Sequence, residues 1–523
     1  MILDITVNRL VLLDGDRQVE SLPVSFASFS FLLAHYLVTG GSDAARLAYR
    51  ICKKYEAYPG DYFRANFYLH QWRMYDFLME HSRAFLLAEV GTGKTWPAIA
   101  CAATRLAHHD AHHILVICPK SLRENWRREI LALTGEAALI PEGLIKSFRK
   151  QIQESDARWV IMNYDALRGI APRGGLSGRG ESGGGHIEAY PRQLESGSGS
   201  IFDFVILDEI SYVKNHLAKR SKHAHRVTRD AKYRIGLSGT LIVNRLEDMF
   251  MPSRIVDESI FGTRIQEFRD RYIVYGGFGN YHIVDYQNRD ELHSKLRGVA
   301  FRCGKEGLGL PPRVYRERVL AMTTEQRGIY KRVKEELRIE FEKGGLTIWN
   351  AAVKLGKLAQ ITSGFLILEN GEVEEFATLK DEELLHLVND EIGGKIVIWC
   401  RFRHSIKKLL KMLGETATGL HGDVLDYQAV IDSFQGGDKR FLVAQLQVSA
   451  GYTVAASHVA IFYECDFSLA NREQAEGRQH RIGQRAESVV YIDLVCAGTV
   501  DRYHLQVIRG KQELSSAIME VLK

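Results

Sequence analysis

The sequence predicts an α/β protein of two lobes, each a parallel sheet flanked by helices. Three observations carry this. First, short Val- and Ile-rich runs recur in two groups, at 114–117, 160–162 and 204–207, then at 396–399, 441–444, 459–463 and 489–495. Apolar runs of this length suit central parallel strands buried on both faces, and the longer mixed segments between them suit crossover helices. Second, Ala88-Glu89-Val90-Gly91-Thr92-Gly93-Lys94-Thr95 places a glycine-rich turn between an apolar run and a helix start. Third, residues 474–484 carry Arg478 and Arg481 three positions apart, a spacing that predicts one shared helix face.

At 523 residues the chain is too long for a single core, and about three domains are expected. Hydrophobic content of 46% and charged content of 25% are those of an ordinary globular protein. A net charge of +5 is compatible with a nucleic-acid partner without singling one out. The seven cysteines (Cys52, Cys101, Cys118, Cys303, Cys400, Cys465, Cys496) form no CxxC pair, which points to buried free thiols in a reducing compartment rather than a zinc site. No secretory signal is visible at the N-terminus, and no apolar run approaches the ~20 residues needed to span a bilayer. A cytoplasmic location is expected, or a nuclear one in a eukaryote.

The elements divide the chain in order. Residues 1–65 read as a small accessory domain, with alternating Ile2, Ile5, Val7, Leu10 and Leu12 followed by one or two helices near 27–55. Residues 66–250 hold the first group of strands. Within them, 169–200 are dense in Gly and Ser and too poor in apolar residues to offset their ordering entropy, so a mobile loop is expected, either a tolerated surface insertion or a DNA-touching loop using Arg173, Arg179 and Arg192. Residues 251–314 read as a helical insertion and linker, 315–505 as the second lobe, and 506–523 as a C-terminal helix.

The glycine-rich turn has the strand–loop–helix context of a phosphate-binding loop. Gly91 and Gly93 let the backbone approach phosphates, while backbone N–H groups, Thr92 among them, and the helix N-terminus supply positive potential. Lys94 is the candidate contact to the β- and γ-phosphates, and Thr95 the candidate Mg²⁺ ligand. Pro97 falls in the first helical turn, where its missing N–H costs little. The run 204–207 ends in Asp208 and Glu209, where a second Mg²⁺ ligand (Asp208) and a water-activating base (Glu209) are expected. Arg478 and Arg481 are candidates to stabilise transition-state charge on the γ-phosphate across a cleft. Gln71, about twenty residues before the loop, is a candidate reader of adenine through its amide.

These segments together resemble the Swi/Snf branch of superfamily-two helicase-like ATPases. Asp208-Glu209-Ile210-Ser211-Tyr212-Val213-Lys214-Asn215 is similar to its acidic box, and Leu237-Ser238-Gly239-Thr240-Leu241-Ile242-Val243-Asn244 to its coupling motif. Leu310-Pro311-Pro312-Arg313, with Gln326 and Tyr330, resembles the entry to its second lobe, and Arg478-Gln479-His480-Arg481-Ile482-Gly483-Gln484 its closing arginine motif. Cys118-Pro119-Lys120-Ser121-Leu122 with Trp126, Asn163-Tyr164-Asp165, Ile398-Trp399-Cys400-Arg401-Phe402 and His421-Gly422-Asp423 resemble its DNA-contacting elements, so Lys120, Ser121, Asn163, Tyr164, Arg401 and His421 become candidate DNA contacts. Two single residues and one loop depart from the pattern. Ser211 replaces a His, Ser449-Ala450-Gly451-Tyr452-Thr453 replaces a glycine-rich loop ending in Leu-Asn, and Phe467 replaces a Trp.

The resemblance implies two RecA-like lobes that use ATP and Mg²⁺ to translocate along double-stranded DNA, in a compact bacterial or phage type of the family. Remodelling or reannealing of branched DNA in replication, repair or recombination is one expected role. Displacing protein from DNA, or serving as a defence-system motor, is a second, and ATP-gated binding to DNA a third. Double-stranded or branched DNA, bound largely without sequence preference, is the expected partner. A protein partner through residues 1–65 and a monomeric state complete the expectation.

Overall fold

The computed structural model describes residues 2–6, 9–14, 17–23 and 67–521, without 173–200, 240–244, 277–281, 306–307, 343–347, 425 and 449–451. The helices expected near 27–55, almost all of the Gly/Ser-rich loop and part of the coupling motif lie outside the described residues. The chain divides into two compact units, Met1–Gly309 with Val521–Lys523, and Leu310–Glu520.

The first unit opens with an antiparallel meander of β1 (Ile2–Thr6), β2 (Arg9–Asp14) and β3 (Arg17–Pro23). Then follow α1 (Leu69–Glu80), β4 (Arg83–Ala88), α2 (Thr95–Ala107), β5 (Ile114–Cys118), α3 (Arg123–Thr134), β6 (Ala138–Leu139), α4 (Phe148–Gln153), β7 (Trp159–Asn163), β8 (Phe204–Asp208), α5 (Lys219–Thr228) and β9 (Tyr233–Ser238). Segment 251–314, expected to be helical, is mixed. It holds α6 (Phe250–Val256), α7 (Ile265–Tyr272) and α8 (Arg289–Arg297), but also an antiparallel hairpin, β10 (Ile273–Gly276) with β11 (His282–Tyr286), and a strand, β12 (Ala300–Cys303). β11 reads His282-Ile283-Val284-Asp285-Tyr286, too short and without the strict alternation that would make a strand stand out in a helical background.

β12 joins the main sheet, whose order is β12-β4-β9-β8-β5-β7-β6 with every pairing parallel. The central strands β5 and β8 are buried along their whole length, as their unbroken apolar sequences require. Because the strands are parallel, the chain leaves β4, β5, β7, β8 and β9 at one common edge. Cys118 is opposite Asn163, and Asp208 opposite Leu237 in the register. Ligands of open α/β sheets bind at this carboxyl edge.

The second unit runs β13 (Arg313–Leu320), α9 (Thr324–Glu342), α10 (Ile348–Thr362), the small hairpin β14 (Phe365–Ile367) and β15 (Val373–Glu375), α11 (Leu379–His386), β16 (Ile396–Cys400), α12 (Arg403–Leu413), β17 (Ala417–Leu420), α13 (Tyr427–Gln435), β18 (Phe441–Gln445), β19 (Val459–Phe462), α14 (Leu469–Glu476), β20 (Val489–Cys496) and α15 (Val500–Val521). Its sheet, β13-β20-β19-β16-β18-β17, is again wholly parallel. Two helix-flanked parallel sheets are what the apolar runs predict, and they match the pair of RecA-like lobes that the resemblance implies. Ile398, Val443, Ile461 and Leu494 pack on one face of this sheet, and Val397, Trp399, Phe462 and Tyr491 on the other. Trp399 is fully buried, and truncating such a side chain to Ala costs about 3–5 kcal/mol.

Cys101, Cys118, Cys400 and Cys496 are buried free thiols, with burial lifting Cys101 to about 12. Among the described residues no helix is long and apolar enough to cross a membrane.

Candidate functional site

The loop between β4 and α2 is closed on itself before any ligand is considered. Thr92, fully buried, donates its hydroxyl to the Glu89 carbonyl (2.8 Å), and its N–H reaches the same oxygen (3.2 Å). Gly91 (φ 93°) and Gly93 (φ 78°) take the left-handed backbone that the turn needs. Glu89 N–H donates to the Cys303 carbonyl at the end of β12, so the end of the insertion segment braces the loop (3.0 Å). Lys94 stands at the N-cap of α2 and Thr95 is its first residue. Lys94, Thr95 and the first N–H groups of α2 therefore share one end of that helix.

The acidic pair sits one strand away, β9 lying between β4 and β8. Lys94 Nζ is 3.9 Å from Glu209 Oε1, with side-chain exposures of 11% and 9%. Glu209 adopts a left-handed conformation (φ 50°), costly for a residue with a Cβ and typical of a position under functional constraint. Asp208 is held from two sides. Its Oδ2 accepts the Trp126 indole N–H (2.9 Å) and its Oδ1 the Glu209 N–H (3.0 Å). Trp126 was expected beside a DNA-contacting element. Its actual bond to a carboxylate 82 positions away depends on tertiary pairing of β5 with β8.

Tyr164 was expected to touch DNA, and the structure corrects this. Its ring is 2% exposed and stacked on Tyr212, and its hydroxyl donates to the Asp208 carbonyl (2.7 Å). Burial, with the Asp208 carboxylate next, pushes its phenol well above the usual tyrosine range, so it stays a neutral donor. Lys120 is exposed in the turn after β5, Ser121 is half-buried beside it, and Asn163 ends β7 across from Cys118. These three share the carboxyl edge with the phosphate loop.

Gln71, proposed as an adenine reader, has its amide engaged within the protein. Its Oε1 accepts the Tyr68 N–H (2.9 Å), and its Nε2 donates to the Gly93 carbonyl (3.0 Å). A Cβ at Gly93 would lie 2.4 Å from that nitrogen, so the glycine is needed for contact as well as conformation. Neighbouring His70 donates from Nε2 to the Thr92 carbonyl (2.8 Å), and burial lowers its pKa, favouring the neutral ring. The start of α1 thus clamps the phosphate loop through two side chains, of which only Gln71 was visible as a candidate.

In the second unit, Arg401 follows β16 and His421 follows β17, again at a common carboxyl edge. Glu464, after β19, accepts the N–H groups of Arg401 (2.7 Å) and Phe402 (2.9 Å) and the Ser405 hydroxyl, capping α12. His421 is half-buried, and its carbonyl accepts the Tyr427 hydroxyl (3.1 Å).

The two arginines do not share a helix face. α14 ends at Glu476 with Gly477 as its C-cap, so Arg478 and Arg481 lie in the irregular turns beyond it. The helix ends before either arginine, so the three-residue spacing does not place them on one face. They are nonetheless brought together, because Arg478 Nη1 (3.1 Å) and Arg481 Nη1 (3.4 Å) both donate to the Tyr452 carbonyl. Tyr452 belongs to the loop whose sequence departs from the family pattern.

A family model described as the SNF2-related domain matches residues 66–367, more than half of the chain, and the helicase conserved C-terminal domain matches 379–483. Among curated proteins, the DNA annealing helicase and endonuclease ZRANB3 of Bos taurus is 24% identical over 462 residues, covering 84% of this chain and 39% of that one. The SWI/SNF-related matrix-associated actin-dependent regulator of chromatin subfamily A-like protein 1 of Drosophila melanogaster is 23% identical over 465 residues, covering 84% and 54%. The chain therefore spans about two fifths to just over half the length of these relatives. Among solved structures, the Sulfolobus solfataricus SWI2/SNF2 ATPase core in complex with dsDNA aligns at 21% identity over 87% of this chain and 93% of that one, with a TM-score of 0.40.

Proposed function

The chain belongs to the SNF2-related family, and from that premise we propose that it is a DNA-stimulated ATPase that translocates on double-stranded DNA. The observation that carries the proposal is the convergence of Lys94, Glu209 and Asp208 at one sheet edge, with the Lys94 ammonium 3.9 Å from the Glu209 carboxylate. Lys94 binds the β- and γ-phosphates, with the loop Gly91-Thr92-Gly93 wrapped around them. Thr95 and Asp208 are the oxygen donors that fit Mg²⁺, a hard cation held in such sites by few protein ligands and by phosphates. Both Asp208 carboxylate oxygens keep a lone pair beyond their single hydrogen bonds. When bound, Mg²⁺ neutralises charge on the β- and γ-phosphate oxygens. Glu209 takes the proton from the attacking water, and Arg478 and Arg481 provide positive charge for the γ-phosphate during turnover. Gln71 is assigned a double part, contacting adenine while its amide holds the loop.

Lys120, Ser121, Asn163, Arg401 and His421 are proposed to bind DNA phosphates, which fixes position without reading sequence. Remodelling or reannealing of branched DNA is the proposed role, in line with the printed activity of the ZRANB3 relatives. The engagement of Tyr452 with both arginines supports a working motor over an ATP-gated binding module. Steady-state ATPase assays without nucleic acid, then with single-stranded, duplex and forked DNA at two salt concentrations, test the proposal. Strong stimulation by duplex or fork that weakens with salt is expected. A rate indifferent to every DNA sinks it.

A further inference from the structure

A second feature of the first unit lies apart from the phosphate loop and is not used by the proposed reaction. Between α5, α6 and the start of α7 is a cavity of about 420 Å³. This is within the range of pockets that hold a small ligand or a few side chains. Its charged lining is entirely cationic, from Lys222, Arg226, Arg229 and Arg254. Its floor is apolar, from Phe250, Met251 and Ile265.

The charges are poorly matched within the protein. Glu258 takes His225 (2.6 Å) and Arg254 (3.4 Å), and Asp230 takes Arg229 (3.3 Å). Lys222 and Arg226 have no ion pair among the described residues. They sit four positions apart on α5, where like charges repel. Lys219 and Arg220 load the first turn of the same helix, against its dipole. No carboxylate occurs from Lys219 to Arg229. His216, on the cavity wall, is held neutral first by burial and then by Arg269, with Lys222 adding to it and Glu247 opposing. Asp165 relieves Arg220 (3.2 Å), whereas Lys222 and Arg226, which repel each other and have no carboxylate paired to them among the described residues, point to an external partner.

The chemistry narrows that partner. Lys and Arg only donate, so the ligand must be rich in acceptors and negatively charged. The floor offers no hydrogen-bonding atoms from Phe250, Met251 and Ile265, so the ligand must also insert an apolar group. A duplex presents its phosphates as rows on a convex surface, without an apolar protrusion. We propose that this cavity docks an acidic peptide segment of a partner protein, its carboxylates on Lys222 and Arg226 and one bulky apolar side chain against Met251 and Ile265. Recognition of acidic motifs by basic clusters is an established binding mode.

The test uses the full chain and a fluorescein-labelled peptide of four aspartates ending in phenylalanine, followed by fluorescence anisotropy at low salt. Saturable binding is expected, at least about tenfold weaker when the terminal residue is serine, the order of one lost buried apolar side chain. The double variant Lys222→Glu/Arg226→Glu should lower affinity at least about tenfold, as charge reversal does at a recognition site. Thr263→Glu, a change at an exposed rim position of the cavity, should do the same without touching α5. ATPase activity without DNA should stay unchanged in both variants, which reports an intact fold. Equal binding of the serine-ended peptide, or binding indifferent to both variants, overturns the proposal. It is also overturned if short duplex DNA displaces the peptide and the variants lose DNA stimulation in parallel, because the cavity then belongs to the DNA track.

Discussion

Lys94 and Glu209 face each other at 3.9 Å, and each makes a separate prediction at the scale of a single side chain. Lys94→Ala should lower the ATPase rate at least about 100-fold, the usual effect of deleting a group that meets developing charge. Its melting temperature should change little, because the residue serves phosphate rather than the core. Glu209→Gln should bind ATP and fail to hydrolyse it, as nucleotide-binding and single-turnover assays can separate; normal hydrolysis by this variant removes Glu209 as the base. Trp126 acts through Asp208. Trp126→Phe deletes the indole donor, and the Mg²⁺ concentration for half-maximal activity should rise about tenfold, as for other groups that orient metal ligands. A lower melting temperature with an unchanged Mg²⁺ dependence marks Trp126 as packing only. Lys94, Asp208 and Glu209 were legible in sequence because each is fixed by neighbours a few positions away. Trp126, Tyr164 and His70 were not, because their roles rest on bonds formed only once β5, β7 and the start of α1 are placed against β8 and the loop.

Elements were read best where apolar runs are unbroken, as in β5, β8 and β16. They were read worst where a short strand interrupts polar helices, as β12 does, and where a helix stops short of the residues expected on it, as α14 does at Glu476 before Arg478. α15 begins with a residue of consequence that periodicity does not reveal. His504 is 1% exposed, its ring lies 4.0 Å edge-on from Phe467, and its Nε2 has no hydrogen-bond partner among the described residues. Burial, with Arg401 next, lowers its pKa to about 4. An unfolded imidazole titrates near 6.5, so the folded state loses stability as pH falls below about 6.5, until both states are protonated near pH 4. The loss should reach about 2 kcal/mol at pH 5. Urea unfolding of the wild type and of His504→Leu at pH 7.5 and pH 5 checks this. The variant should lose less on acidification, and an equal loss in both assigns the pH dependence to other groups.

At the scale of the whole chain, the net charge of +5 says little, because the cations that matter are placed locally. Lys120 at the carboxyl edge of the first sheet and Arg401 at that of the second are separated by 281 positions, yet each follows a central strand of its own sheet. That repetition was legible from the two groups of apolar runs, since a parallel sheet necessarily returns every strand end to one edge. The phosphate contacts proposed for these residues would each bind by releasing counterions. Each contact adds about 0.9 to the slope of log affinity against log salt on duplex DNA. Lys120→Ala should therefore weaken duplex binding at low salt, lower that slope by about 1, and do so alike for duplexes of different sequence. Its ATPase rate without DNA should match that of the wild type, because Lys120 does not meet the nucleotide. Fluorescence-monitored titrations at four salt concentrations would measure the slope. An unchanged slope with weakened binding would mean that Lys120 supports the turn after β5 rather than a phosphate, and an effect confined to one duplex sequence would replace position-fixing with base readout.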